Sequence, residues 1–146
     1  MSELRIEQVD GDAMIEDWRH VHNTIIPADP LSLDDVRERS GRNHLEVAYA
    51  GDVLVGCSTV RPPAGESKES VVIARILPEH RRRGYGTRLY ERGLARAREL
   101  GAEAVETIVL GTNVEGLRFA EEQGFVEVEN YVLPGGTERW HTLRLP

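Results

Sequence analysis

The chain has 146 residues, 40% of them hydrophobic and 29% charged, with a formal charge of −7 and a single cysteine, Cys57. That is the size of one domain, residues 1–146, able to bury roughly 68–70% of the surface its unfolded form exposes, so the core needs no disulfide or metal staple. No apolar run approaches the ~18 residues of a membrane span, and the amino terminus, Met-Ser-Glu-Leu-Arg, is not a basic stretch followed by an apolar one, so the expected location is the cytoplasm. The net charge argues against nucleic acid and an anionic membrane as partners.

Leu4, Ile6 and Val9 suggest an extended start, and Gly11-Asp12 breaks it before Met14, Trp18, Val21 and Ile25, whose spacing gives one helical face. Two prolines make residues 26–30 irregular, and Ser32 with Asp35 reads as a capping box opening a second helix that runs to about Ser40. Residues 46–50, a Gly51-Asp52 turn and residues 53–60 read as a β-hairpin. A polar, proline-bearing loop is expected over 61–69 before the apolar strand 71–77.

The next helix should run from 84–87 to Leu100, burying Leu89, Gly93, Ala97 and Leu100, with Gly101 closing it. A strand over 105–110, a helix over 113–123, a strand over 125–133 and its hairpin partner over 137–145 complete the chain. The strand-helix-strand crossover at 71–110 requires a parallel pair within a sheet otherwise built of hairpins. The expected architecture is α/β, strictly α+β: a mixed, mostly antiparallel sheet of six to seven strands with a central parallel pair and helices on both faces.

The charge is uneven. Residues 1–80 carry 8 basic and 15 acidic side chains, residues 81–100 carry 7 and 2, and residues 101–146 carry 3 and 8. The cationic island begins at Arg81-Arg82-Arg83-Gly84-Tyr85-Gly86-Thr87, between an apolar strand and a helix. Free backbone N–H groups and the dipole at a helix start attract anionic oxygen, glycines at 84 and 86 allow close backbone approach, and Thr87 and the arginines add donors. A pyrophosphate suits this chemistry. The run lacks Gly-Lys-Ser/Thr, which excludes a nucleotide-triphosphate P-loop, and Leu89 stands where a dinucleotide fingerprint needs a third glycine. Arg88, Arg92 and Arg96, spaced by four, suit a solvated helix face.

With Arg81, Gly84 and Gly86 on its fixed positions, the run resembles the Arg/Gln-x-x-Gly-x-Gly/Ala signature of the GNAT superfamily of acyl-CoA-dependent N-acyltransferases. Ile76-Leu77-Pro78-Glu79-His80 resembles that family's strand exit, and Asn113, Phe119 and Gly124-Phe125 resemble its following helix and strand. The resemblance covers nearly the whole chain. It implies acetyl-CoA as co-substrate, with the amides of residues 82–87 on the pyrophosphate and the arginines Arg81, Arg82 and Arg83 on the 3′-phosphate. It further implies that the strand ending at Ile76 and Leu77 parts from its parallel neighbour, leaving backbone groups for the pantetheine arm and the Ile76 N–H for the acyl oxygen. Asn113 can cap the helix that follows, contact the cofactor, or both.

The implied reaction is transfer of an acetyl group to a primary amine of a small molecule or peptide, by direct attack on the thioester. Two departures from the family pattern stand out. Ala120 occupies the position where many members carry a general-acid tyrosine, and Ser70 the position of a glutamate base in histone-acetylating members. Neighbouring Glu69 is the candidate base if a bulge or loop re-aims it, and otherwise a charged residue at a loop end. These departures also admit an alternative, a non-catalytic acyl-CoA-binding or sensing domain. His44, Glu46 and Tyr131 are lesser base candidates. Substrate would meet residues 25–33 and 133–137, with Trp18 and Trp140 either lining that pocket or in the core, and the acidic remainder favours a cationic amine. His20 and His22 do not share a helix face, so no metal is expected. The final hairpin or an exposed sheet edge leaves room for a homodimer.

Overall fold

The computed structural model describes residues 3–146. Its elements are β1 (Leu4–Gln8), α1 (Asp12–Ile25), α2 (Leu33–Arg42), β2 (His44–Ala50), β3 (Val53–Ala64), β4 (Glu69–Ile76), a 3-10 turn (Pro78–His80), α3 (Tyr85–Glu99), β5 (Ala104–Leu110), α4 (Val114–Glu122), β6 (Val126–Val132) and β7 (Arg139–Arg144). The seven strands form one sheet in the order β1-β2-β3-β4-β5-β7-β6. Every pairing is antiparallel except that of β4 with β5. This is the mixed sheet with a central parallel pair that the crossover requires.

Helices cover both faces. On one, Trp18 and Val21 of α1 and Val36 of α2 pack on Leu45, Val47 and Cys57, and the Trp18 indole N–H donates to the Ser58 carbonyl at 3.1 Å. On the other, Leu89, Tyr90 and Ala97 of α3 meet Ile76, Val60 and Val72. The capping box at α2 forms as read: the Asp35 N–H donates to Ser32 Oγ, and the Ser32 N–H to the Asp35 carboxylate.

Three details differ from the expectation. β3 continues through Arg61 to Ala64, with its prolines lying where the β3–β4 register slips and no ladder donor is needed. Glu69 and Ser70 belong to β4 rather than to a loop. Leu100, the C-cap of α3, is 39% exposed, because the helix has already left the sheet there.

Gly56 makes the sheet's centre possible. A Cβ at that position would stand 2.5 Å from the Arg75 carbonyl oxygen and 2.6 Å from Ile76 Cδ1. Gly56→Ala is therefore expected to destabilise the protein by at least about 1–3 kcal/mol in urea unfolding, because backbone must shift to accept the methyl.

His22 is buried, its ring stacked on Trp18 with centroids 5.5 Å apart. Nε2–H donates to the Asp29 carbonyl at 3.0 Å, while Nδ1 is buried with no partner. Burial, helped by the nearby Arg75 charge, pushes its pKa down to about 4 from the ordinary 6.5. Below pH 6.5 the unfolded chain therefore takes up a proton that the folded chain refuses, and stability falls until about pH 4 is passed. The expected loss across this window is up to roughly 3 kcal/mol, and His22→Gln should flatten the profile of unfolding free energy against pH.

Candidate active site

β4 and β5 pair only through Glu69–Ala104, Ser70–Val105 and Val71–Glu106. Beyond this point β4 runs on to Ile76 beside β3, and β5 runs on to Leu110 beside β7. The strands part, leaving a small cavity of about 30 Å³ between residues 73–75 and 107–110, and at the end of β4 a cleft of about 240 Å³ opens between that strand, the start of α3 and α4. Its wall combines β4 (Ala74, Arg75 and Ile76), the start of α3 (Gly84, Tyr85, Gly86 and Thr87) and α4 with its cap.

At the mouth, the chain turns sharply after the 3-10 turn. Arg82 has φ +68 and Gly84 φ +80, left-handed conformations that aim successive N–H groups into a concavity. Gly84 is the N-cap of α3 and contributes no side-chain cap. The first intrahelical bond there runs from the Arg88 N–H to the Gly84 carbonyl, so the amides of Tyr85, Gly86 and Thr87 have no intrahelical acceptor. Gly86 also lets α4 approach: a Cβ on it would lie 3.3 Å from the Phe119 ring.

Ile76, Arg81, Arg82, Gly84, Tyr85, Gly86, Thr87 and Asn113 all line the cleft. Arg81 also braces it, donating through Nε to the Ile76 carbonyl at 2.9 Å and pairing with Glu115 of α4. Arg82 and Arg83 are exposed and make no ion pair among the described residues, and Arg83 does not reach the cleft wall. Thr87 Oγ1 accepts from Gln123 Nε2 at 3.3 Å and keeps its own proton to donate. Asn113 caps α4, its Oδ1 accepting the Gly116 N–H at 3.1 Å, while facing the cleft.

Two candidates lie elsewhere. Leu77 is buried under α1, and its N–H donates to the Val55 carbonyl at 2.8 Å. Glu69 begins β4 and is separated from Ile76 by roughly 23 Å of extended strand. Its carboxylate pairs with Arg144 at 2.7 Å, which also holds Glu106 at 2.7 Å. No bulge re-aims it, because β4 pairs regularly with β5 at that point. Of the lesser candidates, Glu46 is held by Arg92 at 2.9 Å and by His44 at 3.3 Å, all outside the cleft wall.

On the α4 side of the cleft the sequence points to Asn113 and Phe119 but not to Glu115, Arg118 or Glu122. Glu115, Arg118, Phe119 and Glu122 face it, and their i, i+3, i+4, i+7 spacing is the signal that marks one helix face. Ala120 is buried behind them. Next to it the Tyr90 phenol meets Phe119 and Phe125 edge-on and has a buried hydroxyl without a partner. Burial raises that phenol's pKa above its ordinary value, so it stays protonated. Among the described residues no three His, Cys, Asp or Glu side chains gather as metal ligands, and no helix is long and apolar enough to cross a membrane.

The site thus combines a splayed parallel pair with an uncapped helix start, within a seven-stranded mixed sheet. The family model described as Acetyltransferase (GNAT) family matches residues 9–125, and the chain belongs to that family. The ribosomal-protein-S18-alanine N-acetyltransferase of Escherichia coli is similar at 17% identity over 99% of this chain and 94% of that one, with a TM-score of 0.76. A Bacillus subtilis acetyltransferase in complex with CoA is similar at 21% identity over 98% of each chain, with a TM-score of 0.71. YncA of Salmonella typhimurium, with its cofactor acetyl-CoA, is similar at 16% identity over 97% and 92%, with a TM-score of 0.72. At these identities the likeness is one of fold. No curated protein sequence matches the chain significantly.

Glu69→Gln is expected to leave turnover within about threefold, because the carboxylate serves a surface ion pair. A loss of the ~10²–10⁴ typical of a removed general base would restore Glu69 to that role.

Proposed function

We propose that this protein is an N-acetyltransferase that uses acetyl-CoA to acetylate a primary amine by direct transfer. The observation that carries this reading is the set of amides at 85–87 without intrahelical acceptors, opening onto the cleft beside the end of β4 where that strand has left β5. The acetyl-CoA and CoA bound by similarly folded proteins support it.

The residues present fit such a ligand. The amides at 85–87 and the concavity at Arg82 take the pyrophosphate, and Arg82 and the Arg118 of α4, which line the cleft, supply cations for phosphate oxygen. Arg81 has a bracing role: it ties the strand end at Ile76 to α4, which fixes the width of the gap. Backbone groups of β4 that lose their β5 partners beyond Val71 are free to bond a polar arm laid along the gap, as an added strand would. The Ile76 N–H is assigned to the acyl oxygen, where a fixed donor stabilises developing negative charge.

Acetyl-CoA supplies an acyl carbon activated by a thioester. In the reaction a C–N bond forms, the C–S bond breaks, and the amine proton passes to sulfur by way of water. A thiol of ordinary pKa ~8.5 leaves without a dedicated acid, which is consistent with Ala120. The protonated Tyr90 phenol lies behind this wall.

Acetyl-CoA at 100 times its dissociation constant is expected to stabilise the fold by about 2.7 kcal/mol, read as a thermal shift. No shift at millimolar ligand would contradict this reading. Thiol release with an amine library separates the enzyme from a binding or sensing domain, since a sensor would show the shift and no amine-dependent turnover.

A further inference from the structure

The cleft wall carries one arginine without a partner, Arg75, and a second, Arg61, lies on the same face of the sheet outside that wall. On β4 the even positions face α3: Ile76 packs against Leu89, and Val72 lies under Gly93. Arg75 therefore points the other way, toward the face covered by α1 and α2, where its neighbour across the ladder is Cys57. Arg61, opposite Val71, lies on the same face.

Elsewhere arginines at the sheet find carboxylates: Arg92 holds Glu46, and Arg144 holds Glu69 and Glu106. Arg61 and Arg75 are half-buried, and neither guanidinium makes a hydrogen bond or ion pair among the described residues, although the Arg61 carbonyl accepts from Ser70 Oγ. Arg61 Nε is buried with no partner at all. Burial, and the field of Arg39 from α2, disfavour the charge on both. Asp29, the carboxylate that acts on Arg75, forms no bond to it. A desolvated guanidinium without a partner is costly, so its retention asks for an anion that arrives from outside.

That anion is not a phosphate of the cofactor. The cradle at 82–87 opens on the α3 side of the gap, whereas Arg75 reaches the cleft from the α1–α2 face, with Ile25 at the end of α1 beside it. Arg75 is also one residue from Ile76, a rise of about 3.3 Å. An acceptor whose amine reaches the strand end at Ile76 thus presents its anionic group only a few bonds from that amine. Polyamines lack such a group, and a protein amino terminus has an amide there.

Resting on the reading of this cleft as an acetyltransferase site, we propose that Arg75, with Arg61 behind it, binds the carboxylate of the acceptor, which is a small free amino acid. Such an acceptor would carry an anionic group beside the cationic amine that the acidic composition favours.

The test compares free amino acids with their primary amides, and with spermidine, in acetyl-CoA-dependent thiol release by the wild-type chain, Arg75→Gln and Arg61→Gln. Acids are expected to turn over, with amides raising KM about tenfold or more and changing kcat less. Arg75→Gln should erase the difference between acid and amide while keeping the acetyl-CoA thermal shift, and should melt no lower than wild type because it removes an unpaired charge. Amides or spermidine acetylated as well as acids, or an acid preference that survives in Arg75→Gln, would overturn the proposal while leaving the acetyltransferase reading intact. Absence of both acetyl-CoA shift and turnover is the separate failure of that earlier reading. If acetyl-CoA binds and nothing turns over, titration of the CoA-bound protein with amino acids decides. Further stabilisation by acids and not amides upholds the proposal, and none at about ten millimolar overturns it.

Discussion

The structure depends on the failure of β4 and β5 to stay paired. A parallel ladder that ran the full length of both strands would satisfy every backbone group and leave a closed sheet. Here pairing ends at Val71 and Glu106, and each strand follows its antiparallel partner instead. The separation needs support from both directions. Gly56 lets β3 hold the departing end of β4 at close range, and Arg81 clamps that end to α4. What results is a gap walled by stiff elements, with unsatisfied backbone on one side and helix amides at its entrance.

The distribution of charge follows from this geometry. The island at 81–100 looks uniform in sequence, yet its members do different work. Arg81 is structural and cleft-facing at once, Arg82 accepts a left-handed conformation that shapes the concavity, and Arg92 is spent on Glu46 across the sheet. The arginines whose guanidinium groups lack partners among the described residues, Arg61 and Arg75, come from β3 and β4, outside that island. Net charge therefore says little about the cleft, where the local charge is set by a few side chains fixed by strand register and helix face.

Much of this was legible in the chain. The hairpin announces itself through Gly51-Asp52, the second helix through Ser32 and Asp35, and the cradle through its glycines before an apolar-striped helix. Other features were hidden for physical reasons. Pro62 and Pro63 read as a loop, but a register slip accommodates them within β3. The position of Glu69 on its strand was a matter of spacing, and only the ladder shows that Arg144, far away in sequence, claims its carboxylate. Leu77 looked like part of the strand exit, yet the chain turns it into the core to bond Val55. The unpaired state of Arg75 could not be read at all, since it depends on which carboxylates the fold leaves out of reach.

The proposed CoA site is the cleft formed by the end of β4, the amides at the start of α3 and α4. Amide hydrogen exchange with and without CoA tests it residue by residue. CoA is expected to slow exchange at residues 84–87 and in the part of β4 beyond Val71, with little change in β1, β2 or β6. Protection confined to other elements, or none at saturating CoA, would contradict it.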